Sequence, residues 1–208
     1  MGYSLTAMPV EGLILDFGEV LTRSQPRAAL QRMATLVRLP FDELVSRYWR
    51  HRADYDGGLT GEEYWRRVLD GAGSASAEVI ADLIDADFQS WSDYRPEVWD
   101  IAAAFRARGG RTAMLSNGVV EIVNRLRSER RLERWFDVVV ASCEVGRCKP
   151  DPEIYRICLE RLGLAADATL FVDDRMENLQ AARDIGLHTQ HFLGDSSVSD
   201  LRRALAFD

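Results

Sequence analysis

Cysteine is scarce in this chain, with three residues in 208. Cys143, Cys148 and Cys158 form an odd, scattered set, which excludes a disulfide framework and reads as a reducing, cytoplasmic setting. Cys143 and Cys148 have no histidine close in sequence and fall short of the four N/S ligands of a structural zinc site. Long apolar runs are missing as well: no stretch approaches the about 20 residues of a membrane span. The opening MGYSLTAMPVEG has neither a basic start nor an extended apolar core, so no signal peptide is expected. Gly2 followed by Thr6 fits the short myristoylation pattern formally, a match that chance produces often. Positive charge is also in deficit. A net charge of −7 argues against a nucleic-acid grip, which needs a basic face. It leaves room for a small anionic substrate, because a bound cation can reverse the local field. Internal repeats and low-complexity tracts are absent, and the sequence carries no signal for oligomeric state.

What is present is the composition of an ordinary globular protein, 47% hydrophobic and 28% charged, enough for a real core. The length suits one main domain with a modest insertion. Short runs rich in Ile, Leu and Val predict strands at 12–17 (GLILDF), 111–115 (RTAML), 136–140 (FDVVV) and 169–172 (TLFV), and 188–192 (HTQHF) completes the set. Continuous apolar strands suit a sheet covered on both faces. Between them, helical periodicity covers 96–108, 119–130, 152–162 and 177–185. Pro96 stands near the start of the first, and Gly109, Gly163 and Gly186 stand as stops. Strand alternating with helix predicts an α/β fold, a doubly wound, Rossmann-like parallel sheet.

Residues 24–93 break that rhythm. They hold helix-like stretches at 26–37, 41–52, 60–69 and 77–91, no convincing strand, and many aromatics. This is expected to be a helical cap inserted after the first strand, over residues 23–93, with residues 1–22 and 94–208 forming the catalytic core. Its aromatics are expected to be mainly packing. Arg23, His51 and Tyr55 are within reach of a substrate in principle, with solvated surface as the expectation for each; His188 and His191 are expected to pack or face solvent.

In open parallel sheets, ligands bind beyond the carboxyl ends of the strands. Here those ends carry Asp16, then Ser116-Asn117-Gly118, then the segment with Lys149, then Asp173-Asp174. Three carboxylates, a hydroxyl and an ammonium would meet at one rim. Hard oxygen donors in that number suit Mg²⁺. A carboxylate can attack phosphorus, and phosphoryl transfer mainly asks for positioning and charge neutralisation. Each residue also has a plainer role: Asp16, Ser116 and Asn117 as turn residues, Asp173 and Asp174 as helix N-terminal acids, Lys149 as a surface lysine.

The segments LILDFGEVLT, MLSNG, CKPDPEIY and FVDDRMENLQAA, in that order, resemble the haloacid dehalogenase superfamily across nearly all of the chain. The resemblance implies Asp16 as nucleophile and metal ligand, Gly18 as a main-chain carbonyl ligand, and Asp173 and Asp174 as metal residues. It implies Ser116 and Asn117 as phosphate-binding residues, and Lys149 as the cation steadying both nucleophile and phosphate. The cofactor implied is Mg²⁺, and the partner a small phosphorylated metabolite such as a sugar phosphate. One departure stands out: where the family usually has a second aspartate acting as acid and base, this chain has Gly18. It is similar there to a subgroup with a DxG first motif that includes a sugar-1-phosphate phosphatase and resembles the N-terminal domain of epoxide hydrolase. A substrate with a good leaving group, a replacement acid such as Glu19 or a cap residue, or weak activity would each accommodate the change. General acid–base help is typically worth about 10²–10⁴ in rate. Competing readings are a metal-free 2-haloacid dehalogenase, against which the Asp173-Asp174 pair speaks, a phosphomutase, and a metal-binding homologue without turnover.

Overall fold

The computed structural model describes residues 10–72 and 75–207; Gly2 and Thr6, which carry the myristoylation pattern, lie outside them. Five strands form one sheet: β1 (Gly12–Leu15), β2 (Arg111–Ser116), β3 (Val138–Ala141), β4 (Thr169–Asp173) and β5 (His188–His191). Their order is β3-β2-β1-β4-β5 and every pairing is parallel. All five expected stretches therefore became strands, with ends shifted by one or two residues. The largest shift is at β3, where Asp137 stays outside the strand and its carboxylate accepts from the Thr112 N–H at 2.9 Å.

Side chains alternate across the sheet, as the pleat requires. Leu13 and Leu15 join a core with Met114, Leu170 and Val172, while Ile14 joins Ala113, Leu115, Val140 and Phe171 on the other face. Both faces are apolar because both are covered. The first core takes in α6 (Pro96–Ala107) through Val98, Ile101 and Phe105. The second takes in α9 (Pro152–Leu162) through Ile154, Tyr155 and Cys158, and α10 (Met176–Asp184) through Leu179 and Ala182.

Among the described residues, five α-helices run between β1 and α6: α1 (Arg27–Val37), α2 (Phe41–Arg50), α3 (Arg52–Asp56), α4 (Gly61–Val68) and α5 (Ala77–Ser90). The expected stretch 41–52 is thus broken at His51, and α3 follows as a separate turn. An aromatic set, Tyr48, Tyr55, Tyr64 and Trp65, is fully buried among these helices, with Tyr55 stacked on Tyr64 at 4.1 Å. The chain leaves the sheet and returns to it side by side: Thr22 and Tyr94 form an antiparallel bridge, and the Arg23 N–H donates to Asp93 O at 2.7 Å.

The expected helix over 119–130 is α7 (Val120–Arg125), which runs on into a wider turn over Leu126–Arg130. Two short helices fall outside the periodicity reading, α8 (Ser142–Val145) and α11 (Ser197–Ala204). No helix among the described residues is long and apolar enough to cross a membrane.

Candidate active site

The strand order reverses direction between β1 and β4, and the register pairs Leu15 with Val172. The next residues, Asp16 and Asp173, are therefore neighbours at the carboxyl edge, and the Asp16 N–H donates to Val172 O at 3.0 Å. This is the crevice where a doubly wound sheet opens. Carboxylate oxygens of Asp16, Asp173 and Asp174 lie within 4.8 Å of one another. Such hard oxygen donors, two of them on buried residues, suit a small divalent cation, and Mg²⁺ fits the set.

Lys149 joins them from the segment after β3. Its Nζ lies 2.7 Å from Asp16 Oδ1 and 2.7 Å from Asp173 Oδ2, and donates to Leu115 O at 3.0 Å. It is the only lysine of the chain, all other basic residues besides histidine being arginine. That count is a signal the motif reading passed over. Asp16 Oδ1 also accepts from the Phe17 N–H at 2.7 Å. Both donors reach the same oxygen, which leaves Oδ2 for the cavity that Asp16 lines. Asp173 is fully buried, and its oxygens accept from the Arg175 N–H at 2.8 Å and from Asn178 Nδ2 at 3.0 and 3.1 Å. With three donors making four contacts to it, Asp173 is suited to orienting Lys149 and Asn178 as much as to a ligand.

Crowding acids around one ammonium shifts the protonation of Asp16 and Asp174. Burial pushes Asp16 up to about 8; Lys149 opposes the shift and Asp173 adds to it. Burial, then Asp173 and Glu19, push Asp174 up to about 6. Burial pulls the Lys149 ammonium down, yet Asp16 and Asp173 together hold it above its ordinary value. The cluster is short of positive charge, the condition in which a divalent cation binds with gain.

Ser116 is buried and lines the cavity beside Asp16. Asn117 also lines it, but its carboxamide is occupied: Nδ2 donates to Lys149 O at 2.9 Å, and Oδ1 accepts from the Lys149 N–H at 2.7 Å. The side chain proposed by resemblance to bind phosphate thus fixes the lysine's main chain. Gly18 lines the cavity with an ordinary φ of −63°, and a Cβ there would meet the Trp91 ring at 3.5 Å. Glu19 adopts a left-handed φ of 58°, uncommon for a residue with a Cβ. Two contacts hold that turn: the Glu19 N–H donates to Thr22 Oγ1 at 3.3 Å, and its carboxylate accepts from Ser24 Oγ at 3.0 Å. Glu19 faces the cavity with Gly18.

The opposite wall comes from the helical segment: Trp49, Arg52, Asp56 and Trp91, around a cavity of about 150 Å³. Sequence reasoning singled out none of these for the site, since polar and aromatic residues on amphipathic helices read as surface and core. Of the three residues it weighed there, Arg23 pairs with Asp93 at the surface, at 3.3 Å. Tyr55 corrects the expectation of solvated surface: it is buried, with its hydroxyl donating to Glu121 Oε2 at 3.1 Å. His51 is half-buried outside the cavity lining. His188 is half-buried on β5, and the His191 ring packs against the acidic loop, its Nε2 2.8 Å from Asp174 O.

Comparison with known proteins gives a consistent picture. The family model for haloacid dehalogenase-like hydrolases matches residues 10–186. The chain is 24% identical over 186 residues to a phosphatase of Mycobacterium tuberculosis, covering 86% of each. It is 25% identical over 209 residues to bifunctional epoxide hydrolase 2 of Mus musculus, covering 90% of this chain and 37% of that one. Of several curated relatives it spans only 10–37% of the length. Among solved structures, a HAD family enzyme of Bacteroides thetaiotaomicron superposes with a TM-score of 0.76 at 20% identity, covering 91% of this chain and 98% of that one. The same enzyme in complex with magnesium and inorganic phosphate gives a TM-score of 0.70 at 19% identity, covering 88% and 93%.

Proposed function

We propose that this chain, which belongs to the haloacid dehalogenase-like hydrolase family, is a Mg²⁺-dependent phosphatase acting on a small phosphorylated metabolite through a covalent intermediate on Asp16. The observation that carries this reading is the arrangement of Asp16 itself. One carboxylate oxygen is held by Lys149 and the Phe17 N–H, and the other is left for the cavity that Ser116, Asp174 and Gly18 also line. A fixed, half-occupied carboxylate is what nucleophilic attack requires.

Asp16, Asp174 and the Gly18 carbonyl would hold the cation, with Asp173 beside them. Bound there, Mg²⁺ would offset the charge of the acidic cluster and of the phosphoryl oxygens. Asp16 Oδ2 forms a bond to phosphorus as the ester P–O bond breaks and the alcohol leaves. Water then attacks phosphorus, releasing inorganic phosphate and restoring the carboxylate. Ser116 donates to a phosphoryl oxygen, Asn117 keeps Lys149 in place, and the lysine spreads the charge that develops on the transferring group. Gly18 supplies no proton, so the departing alkoxide takes its proton from solvent or from Glu19, and esters of the more acidic alcohols react fastest. The division into a core of residues 1–22 and 94–208 and a cap of 23–93 belongs to the same proposal. The bridged segments at Thr22 and Tyr94 are the natural place for the cap to swing and exclude water.

Steady-state assays on p-nitrophenyl phosphate and a panel of sugar phosphates test the reading. Chelator should abolish turnover. Asp16→Asn should lower kcat by at least about 10⁴-fold, the scale on which loss of a covalent nucleophile is felt. Hydrolysis by Asp16→Asn at the wild-type rate would remove the nucleophile, and turnover of a 2-haloacid in excess chelator would favour dehalogenase chemistry.

A further inference from the structure

The helical wall of the cavity differs in character from the acidic rim. Its only cation, Arg52, is buried and already paired: Nε lies 2.9 Å from Asp56 Oδ1, and Nη1 lies 2.6 Å from the Tyr48 hydroxyl and 3.4 Å from Asp87 Oδ2. Arg52 and Asp56 stand four apart on α3, so the helix itself fixes the pair. The other cations lining the cavity are matched in the same way, Lys149 with Asp16 and Asp173, and Arg175 with Glu177. Each positive group that a ligand can reach is therefore offset by a carboxylate. Glu19 adds a further acid on the adjoining side.

We infer that Trp49, Arg52, Asp56 and Trp91 form the subsite for the leaving alcohol, and that this subsite selects an uncharged, hydroxyl-bearing group over one carrying a carboxylate. The inference rests on the phosphatase reading of the same site and adds the class of ester. A substrate carboxylate would be brought against Asp56 and Glu19 with no free cation among the described lining residues to receive it, and like charges brought together repel. A hydroxyl meets the opposite situation. The internal bonds use Asp56 Oδ1 and Arg52 Nε and Nη1, so Asp56 Oδ2 and Arg52 Nη2 remain to accept from and donate to a ligand. Trp49, 50% exposed, and Trp91 add indole surface for the apolar face of a polyol. The cavity of about 150 Å³ keeps the group small.

The test uses two esters that differ only in one end group, glycerol 3-phosphate with CH₂OH and 3-phosphoglycerate with a carboxylate. The wild-type protein should favour glycerol 3-phosphate in kcat/KM by at least about tenfold. Asp56→Asn, which removes the acid lining the cavity and leaves Arg52 offset by Asp87 alone, should move that ratio at least about tenfold toward 3-phosphoglycerate; a merely structural role would lower both rates together. Trp49→Ala, at an exposed position that leaves the fold intact, should raise KM for glucose 6-phosphate more than it lowers kcat. Equal or better turnover of 3-phosphoglycerate, or a ratio unmoved in Asp56→Asn, overturns the inference. In those cases Asp16-dependent hydrolysis of p-nitrophenyl phosphate shows that the phosphatase reading stands, whereas no Asp16-dependent hydrolysis of any ester removes both.

Discussion

Lys149 shows how one residue can be fixed by chemistry alone. An ammonium has three N–H donors, and here three acceptors meet it: Asp16, Asp173 and the Leu115 carbonyl. A chain that uses arginine everywhere else keeps lysine at this position, where a compact point charge fits and a planar guanidinium fork does not. At 4% exposure the ammonium is also what permits two carboxylates to stay buried beside it. Lys149→Met is therefore expected to destabilise the metal-free protein by about 3–5 kcal/mol, the penalty for removing one partner of a buried ionic cluster. Urea titration near neutral pH measures it, and a loss under about 1 kcal/mol, the size of a surface pair, would mean that solvent or another cation takes its place. Residues at this scale were legible where they sit in short motifs at strand ends. Arg52 and Asp56 were not, because an i,i+4 pair on a helix has the same pattern whether it faces water or a cavity.

At the scale of elements, the two halves of the site are tied by Glu121 on α7. Its Oε1 accepts from the Gly61 N–H at the start of α4, at 2.6 Å, and its Oε2 from Tyr55 on α3. Asp56 O accepts from Ser142 Oγ at 2.5 Å, and Arg125 pairs with Asp85 of α5 at 2.6 Å. These polar contacts hold the helical wall over the strand ends. Glu121→Ala leaves the first N–H of α4 and the Tyr55 hydroxyl without their acceptor, and each such loss costs about 1–3 kcal/mol. The expected outcome is a lower urea midpoint and a raised KM with kcat little changed. A KM equal to wild type would show that the wall is held by packing alone. The elements themselves were largely readable: β1 to β4 are short apolar runs, and α6, α9 and α10 carry clear start and stop residues, whereas β5, with the sequence HTQH and only half-buried, carries no apolar pattern of its own. α8 was missed because four residues give too little periodicity to register.

For the whole molecule, the acidic cluster would couple metal binding, as proposed, to stability. Asp16, raised to about 8, and Asp174, raised to about 6, bind protons more tightly when folded than in the unfolded chain. Without metal, the stability these groups contribute is present at low pH and is lost as pH rises through about 6 and then about 8. A cation that displaces those protons binds more tightly over the same window. Mg²⁺ should thus raise Tm more at about pH 8.5 than at about pH 5.5, in melts with and without chelator. A shift independent of pH would place the cation away from Asp16 and Asp174.

The sequence by itself determined the parallel sheet and the chemistry of its strand ends. Apolar runs and turn residues act over a few positions, and right-handed crossovers then bring the carboxyl ends to one edge. It also carried the family, through four motifs in fixed order. Only the tertiary structure decided that Asn117 serves Lys149, that Tyr55 is buried, and that Trp49, Arg52, Asp56 and Trp91 face the acidic rim. Those outcomes depend on how each helix is rotated about its axis. That rotation is set by the joint packing of Tyr48, Tyr55, Tyr64 and Trp65, a many-body balance that no local pattern encodes.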